Sequence, residues 1–341
     1  MKLTVYHESS AFDELRDEWN ALLHHSTSDT IFCTWEWQST WWNSYQAGDL
    51  MIVTCRTDDG QLAGIGSWFI ENKDGKRVVR TIGCVDVTDY VDIIVHTDHV
   101  DEVQMQFARF LAENHDKYDY LNLCNIPEAS PTLSGFVDKL KACQFDVNVV
   151  FQEVCPVIEL PDEWGDYLAT LDKKQRHEIR RKVRRAESEA QVEWYVVDET
   201  RDLQTELERF LKLMRASHPE KARFLDDPKN MAFFRAFVPV THAKGWLKMS
   251  FLVINGEPSA AYCDFDYNER ILVYNSGLQP EQNAHLSPGI VLLSYNIRHA
   301  IETKHKVFDF LRGNEIYKYR MGGKDTKVFK LKAEVPAVAR V

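Results

Sequence analysis

The sequence predicts two tandem α/β domains of the mixed, mostly antiparallel kind, each a sheet flanked by helices, over residues 1–160 and 161–341. Three observations carry this. The chain has 341 residues, beyond the length at which one hydrophobic core usually stops growing. Period-2 and period-3.6 apolar patterns alternate along its whole length, which favours mixed sheets with helices on their faces. The second half also repeats the order of elements of the first half without repeating its residues.

In the first half, residues 2–7 read as a strand and 12–23 as an amphipathic helix with Ser10 as its cap. An aromatic helix follows over 32–42, with Trp35, Gln38 and Trp42 near one face. Short strands at 51–55, 64–70 and 78–82 are separated by Asp58-Asp59-Gly60 and Lys73-Asp74-Gly75, which suit tight turns. A helix over 100–114, a strand over 120–124, a helix over 131–143 and more strand within 146–160 complete this half. Pro161-Asp162-Glu163 marks the boundary.

The second half opens with a long helix over 164–188, then a strand over 192–197 and helices over 202–216 and 230–242. His218 to Phe224 reads as the turn between those two helices, near a substrate mouth. Strands at 246–254, 259–267 and 270–276 are joined by Asn255-Gly256-Glu257 and Asn268-Glu269, both good hairpin connections. A helix over 287–303, a strand over 307–311, a short helix over 315–321 and a strand over 328–333 follow.

Apolar content of 44% with 27% charged residues is that of a soluble globular protein. A net charge of −11 argues against a surface that wraps nucleic acid. The seven cysteines are scattered, odd in number and without a C-x-x-C pair. That spacing predicts reduced thiols, no zinc knuckle and no disulfide framework. The opening MKLTVYHESS turns polar at once and no apolar run could span a bilayer, so the expectation is a cytoplasmic protein without membrane insertion. Oligomeric state is not legible.

The element order is that of the Gcn5-related N-acetyltransferase (GNAT) fold. Ser287-Pro288-Gly289 opening a helix, followed by FDFLRGNEIYK from Phe308 to Lys318, resembles the paired signature of the CelD/BioF2-like acetyltransferases. Thr88-Asp89-Tyr90-Val91-Asp92 and the aromatic helix also resemble that family. The group is related to the Fem-type aminoacyltransferases of peptidoglycan synthesis, which carry two such domains in tandem. The usual glycine-rich pyrophosphate loop (Q/R-x-x-G-x-G/A) is absent, and Gln279 to His285, QPEQNAH, stands in its place. The resemblance implies transfer of an acyl group from acyl-CoA, acetyl-CoA first among them, to an amine of a sugar, amino acid or peptide. Cell-envelope or exopolysaccharide metabolism is the setting it suggests, with the first domain a degenerate copy.

Read residue by residue, Ser287 is expected to cap its helix, with Pro288 at the first position and Gly289 leaving an amide open for an anion. Asn275 and Ser276 join these three as acyl-donor contacts. Amide-forming acyl transfer needs a proton acceptor for the amine, donors for the developing oxyanion and an acid or cation for the leaving group. Lys318 and Arg312 offer charge. Tyr317 offers a proton, and Tyr319, two residues on, cannot share its helix face. Asp264, on one strand face with Asp266, is the preferred base. Asp309, Arg312 and Asn314 form a substrate-binding group, and Asp89 and Tyr90 are expected to shape a cleft between the halves. The alternatives are equally concrete: Asp309 facing solvent between two core phenylalanines, and Arg312 and Asn314 serving only the turn.

The run from Lys173 to Arg185, KKQRHEIRRKVRR, invites a phosphate partner or else is a solvated face balancing nearby carboxylates. Nucleic acid therefore enters only as a tRNA acceptor stem. No metal is expected: the histidines lack ligand spacing, and Asp86, Asp89 and Asp92 lack the glycine and distal glutamate of a calcium loop. Two competing readings stand beside acyl-CoA transfer. One is an aminoacyl-tRNA-dependent transferase, the other a non-catalytic binding module that keeps the fold.

Overall fold

The computed structural model describes residues 1–84 and 87–334 and divides into two units, Met1–Glu153 with the chain from Thr326, and Val154–Asp325. Asp86 of the acidic cluster lies outside the described residues.

Unit 1 runs β1 (Lys2–Tyr6), α1 (Ala11–Leu23), α2 (Trp35–Tyr45), β2 (Asp49–Arg56), β3 (Leu62–Lys73), β4 (Lys76–Thr81), β5 (Ile94–Val95), α3 (Val100–Glu113), β6 (Tyr120–Pro127) and α4 (Gly135–Ala142). Helix α1 forms because Phe12, Leu15, Trp19, Leu22 and Leu23 recur at helical spacing and are all buried. Ser10 is itself helical and its side chain does not cap, so Asp13 and Glu14 in the first turn are left to complement the dipole. Helix α2 starts at Trp35, later than the aromatic run suggests, because Thr34 accepts from the Trp37 amide. Strands β1 to β4 pair antiparallel in sequence, and β6 joins β4 in parallel.

Unit 2 begins within β7 (Asp146–Glu159) and runs α5 (Trp164–Thr170), α6 (Lys173–Glu189), β8 (Val192–Val196), α7 (Leu203–Ser217), α8 (Pro219–Asp226), α9 (Pro228–Ala243), β9 (Leu247–Ile254), β10 (Glu257–Tyr267), β11 (Arg270–Leu278), α10 (Pro288–Glu302), β12 (Val307–Asp309), α11 (Ile316–Arg320) and β13 (Lys324–Glu334). Strands β8 to β11 pair antiparallel and β12 joins β11 in parallel, the same plan as unit 1. The two hairpins sit where the turn residues place them: Asn255 and Gly256, then Asn268 and Glu269, all have positive φ, as tight turns matching strand twist require.

The last strand of each sheet comes from the other half of the chain. Residues Val157, Ile158 and Glu159 of β7 pair with β12, and β13 pairs with β6 from Val328–Pro127 to Glu334–Tyr120. The division at 160/161 read from the sequence therefore moves to 153/154, and residues 328–333 belong to unit 1. Alternating side chains reveal that a segment is a strand but not which edge it joins.

Three further differences have local causes. The helix expected over 164–188 breaks at Leu171-Asp172, where Asp172 accepts from the Gln175 amide at 2.8 Å and starts α6 afresh. The supposed turn at His218 to Phe224 is helix α8, opened by His218 and Pro219. Cys84 and Cys124 are joined as a disulfide with Cα atoms 5.8 Å apart, which corrects the expectation of reduced thiols throughout and removes the cysteine pattern as an argument for a reducing compartment. The two lie 40 residues apart in sequence, so only the fold brings them together. Among the described residues no helix is long and apolar enough to cross a membrane.

Leu331 and Ala333 of β13 are fully buried in the unit 1 core. Leu331→Ala should lower unfolding free energy by about 2–5 kcal/mol. Hydrogen exchange should show the loss in β6 of unit 1; a loss confined to residues 154–325 contradicts the strand assignment.

Candidate active site

An open seam in the unit 2 sheet results from the way β12 ends. Strand β11 pairs with it only over Arg270–Val307, Ile271–Phe308 and Leu272–Asp309. The buried carboxylate of Asp309 then accepts from the Leu311 amide at 2.8 Å, and Leu311 takes a left-handed φ of 55°. The next amides go to the far side: Phe310 donates to the Pro156 carbonyl and Gly313 to that of Val154. The chain thus swings toward β7, and among the described residues Val273 and Asn275–Leu278 of β11 pair in the sheet with β10 alone. Asp309 is a turn-former bonded to backbone, not a solvent-facing residue; Arg270 lies 3.8 Å from its other oxygen.

The same stretch of β11 carries a bulge. Cys263 pairs with Asn275 but Asp264 with Val273, so Tyr274 is the extra residue. Bulges re-aim side chains and are common beside sites. Here Tyr274 packs on Phe234, Phe237 and Phe265, and by register Asn275 shares that face while Ser276 lies opposite Tyr262. Tyr274, Asn275 and Ser276 are partly exposed along the seam, between buried neighbours.

The facing wall is the turn at residues 311–315. Lys318 is buried, and its ammonium meets the carbonyls of Leu311 (3.2 Å), Arg312 (2.8 Å) and Gly313 (3.1 Å) and the Glu315 carboxylate (2.9 Å). Three protons facing four acceptors leave no free donor, so Lys318 holds the wall in shape. Gly313 has φ 114°, and a Cβ there would fall 2.5 Å from a Glu315 carboxylate oxygen. Arg312 is partly exposed and Asn314 exposed on this turn. Tyr317 sets its ring edge-on to Phe310, and burial keeps its hydroxyl well above the usual tyrosine range, helped by Glu315 and Asp264. Tyr319 points elsewhere, donating to Asp325.

Lys221, absent from the sequence-based candidates, completes the seam. It reaches from α8 and donates to the Ser276 carbonyl and, at 3.1 Å, to the Ser276 hydroxyl. Desolvation brings its ammonium down to about 8, with Glu315 opposing the fall. The only sequence signal was its place in a segment read as near a substrate mouth; its direction depends on α8 being a helix.

At the other end of β11, α10 opens differently from the expectation. Ser287 has φ 56° and its hydroxyl caps nothing; its carbonyl takes the Ile290 (3.0 Å) and Val291 (3.1 Å) amides. The preceding 3-10 turn, Ala284–Leu286, delivers the chain to Pro288 in a left-handed conformation, and the residue before a proline avoids the helical region. The Gly289 amide has no partner among the described residues, and a Cβ there would meet only Leu278 at 3.7 Å. An amide and open space therefore stand at the start of a 15-residue helix, as an anion requires.

Asp264 lies apart from Lys221, beyond Tyr262 on β10, facing α10. It is 2% exposed, and burial drives its carboxyl well above the usual range, opposed by Asn296 (3.4 Å) and the Tyr274 amide. The remaining pair, Asp89 and Tyr90, are buried in unit 1, where Tyr90 lies 6.1 Å from the Phe32 ring. Nearby Asp92 accepts from Ser130, Thr132 and the Ile93 amide, with its carboxyl pushed up to about 6 by burial. Among the described residues no three His, Cys, Asp or Glu side chains converge as metal ligands.

This open seam, bulge and helix start define a GNAT-type acyltransferase fold. Residues 173–319 match the family model described as an acetyltransferase (GNAT) domain, covering the seam and α10. Among solved structures the chain resembles FemX, at 11% identity and TM-score 0.67 over 97% of both chains. It also resembles L-PGS from Bacillus licheniformis (12%, 0.57, over 93% of this chain and 91% of that one). A third likeness is a tandem GNAT protein from the clavulanic acid biosynthesis pathway (13%, 0.50, over 98% and 99%). No curated protein matches by sequence. Residues 173–319 therefore match a GNAT acetyltransferase domain, and the chain has a mixed α/β fold similar to those of FemX and the tandem GNAT protein.

Removing the Lys318 ammonium would leave buried carbonyls unpaired, so Lys318→Met should cost about 1–3 kcal/mol in urea unfolding. Lys221→Met relieves a desolvated charge and should cost clearly less. A loss at Lys221 equal to that at Lys318 contradicts these roles.

Proposed function

We propose that unit 2 transfers an acyl group, acetyl first, from acyl-CoA to a primary amine of a sugar, amino acid or peptide. The observation that carries this reading is the edge of β11 over Asn275–Leu278, which has no strand on its β12 side among the described residues, with Lys221 at one side and the open Gly289 amide at its end. When bound, acyl-CoA supplies an acyl group activated as a thioester. Ser287, Pro288 and Gly289 would hold its pyrophosphate at the start of α10, and Asn275 and Ser276 its acyl arm. Arg312 and Asn314 would line the acceptor's approach from the turn, which Lys318 positions.

The free edge of β11 supplies backbone N–H donors for charge developing on the acyl oxygen. Lys221 accepts the amine proton. In its neutral form two protons still serve the Ser276 carbonyl and hydroxyl, and the lone pair is left for the substrate. As the new C–N bond forms and the C–S bond breaks, Tyr317 gives its proton to the departing sulfur; its hydroxyl stays protonated near neutral pH. Lys221 then replaces Asp264 as the preferred base, since burial keeps Asp264 from holding charge.

A second reading exchanges the donor for aminoacyl-tRNA. It is favoured by α6, where Lys173, Lys174, Arg176, Arg180 and Arg184 form no ion pair among the described residues, while Arg181 and Arg185 pair with Glu178 and Glu189. Steeply salt-dependent tRNA binding at low CoA affinity would favour it.

The first reading is checked by thermal shift with CoA and acetyl-CoA, and by mass spectrometry of acetylated amines. A base whose ammonium sits near 8 is active when deprotonated, so kcat/KM should rise with pH and level off above about 8. Lys221→Met should lower kcat by about 100-fold or more and abolish that limb. No stabilisation by either ligand at millimolar concentration, where linkage should raise stability, contradicts the donor assignment.

A further inference from the structure

The chemistry proposed for the seam makes no use of Asp264 or of the cavity into which it looks. That cavity, about 490 Å³, lies on the α10 side of the unit 2 sheet, where β8, β9, β10 and β11 meet the C-terminal half of α10. Its floor is a closed set of hydrogen bonds. Asn296 accepts from the Trp194 indole at 3.0 Å and donates to Ser250 Oγ at 2.8 Å and to Asp264 Oδ2 at 3.4 Å. The Trp194 indole and both amide protons of Asn296 are thereby spent, and the Tyr274 amide is a further donor toward the Asp264 carboxyl. Asp264 Oδ1 is left, buried and without a hydrogen-bond partner. An orphaned carboxylate oxygen costs on the order of 1–3 kcal/mol or more, so a native fold keeps one where something satisfies it.

The surroundings state what that something must be. Alone, the buried carboxyl keeps its own proton; a ligand that ionises it has to bring hydrogen, because Oδ1 can then only accept. The wall is aromatic: Trp194 stands 5.1 Å from the His299 ring, with Ile271 and Ala300 beside them. The rim carboxylate Asp266 is already engaged by His305 at 3.0 Å and Lys248 at 3.4 Å, and Glu269 is exposed at the rim, so the buried acidic oxygen without a partner is Asp264 Oδ1 at the floor. A buried carboxylate beneath an indole face suits a cation with a short carbon body.

We propose that this cavity binds a small organic amine, its ammonium group on Asp264 Oδ1 and its carbon body against Trp194, at a site separate from the β11–β12 seam. An amine entering uncharged takes the proton of the Asp264 carboxyl; one entering charged displaces that proton to solvent. In either case an ion pair forms and the orphaned oxygen gains its partner.

Ligand-detected NMR on the full chain tests this with butylamine and phenethylamine as probes, and butanol and butyrate as controls. Saturable amine binding, with Kd on the order of millimolar or tighter and no saturation by either control, is expected. Asp264→Asn keeps the shape, removes the charge and should weaken amine binding at least about tenfold, as loss of a charged hydrogen bond requires. Lys221→Met should leave it unchanged, which separates this site from an acceptor amine bound at the seam. Amines binding no better than butanol, or binding lost in Lys221→Met and kept in Asp264→Asn, overturns the proposal. Should Asp264→Asn fail to fold, the contrast of amine with alcohol and carboxylate on the parent chain decides alone.

Discussion

The ammonium of Lys318 is the interaction on which the rest of unit 2 depends. It gathers three consecutive carbonyls, from Leu311 to Gly313, and the carboxylate of Glu315 around one buried charge. Those carbonyls belong to a turn that cannot pair with β11, because Asp309 has already bent the chain toward β7. Without the ammonium, the turn would carry buried acceptors with no donor and would collapse into the gap it borders. With it, the gap between β11 and β12 stays open and Tyr317 is held against Phe310. A charge used in this way is an architectural element even though it lies within the candidate site.

Much of this was legible from residue order. FDFLRGNEIYK locates the strand end, the turn and the short helix, since Phe308 and Phe310 are buried and Gly313 needs a positive φ. Asn255-Gly256 and Asn268-Glu269 predict their hairpins because left-handed residues at those points are needed by tight turns. What stayed hidden depends on direction or distant partners. Ser287 has a capping residue's chemistry but a left-handed backbone that keeps its hydroxyl from the helix amides. Lys221 was invisible because a lysine in a presumed turn carries no sign of the strand it reaches. The exchange of β7 and β13 between the two sheets was invisible for a similar reason: a strand's pattern names its buried face, not its neighbour.

Two acidic residues illustrate how burial alters an assignment made from spacing. Asp264 and Asp266 share a strand face, as alternation requires, yet their surroundings separate them. Asp266 has a histidine and a lysine beside it, and its carboxyl falls below the ordinary range even though burial opposes the fall. Asp264 is fully buried, and burial raises its carboxyl against the opposing Asn296 side chain and Tyr274 amide. In the proposed chemistry proton acceptance at the seam falls to Lys221, whose desolvation works in the useful direction, since burial lowers a lysine as it raises a carboxylate.

The central claim is that the unpaired edge of β11 and the start of α10 form one acyl-donor site. Hydrogen–deuterium exchange with and without saturating CoA tests it most directly. The account predicts slowed exchange at residues 273–278 and in the first turn of α10, with the β8–β9 pairing unaffected. Unchanged exchange at both places under saturating CoA, or protection confined to unit 1, would contradict it.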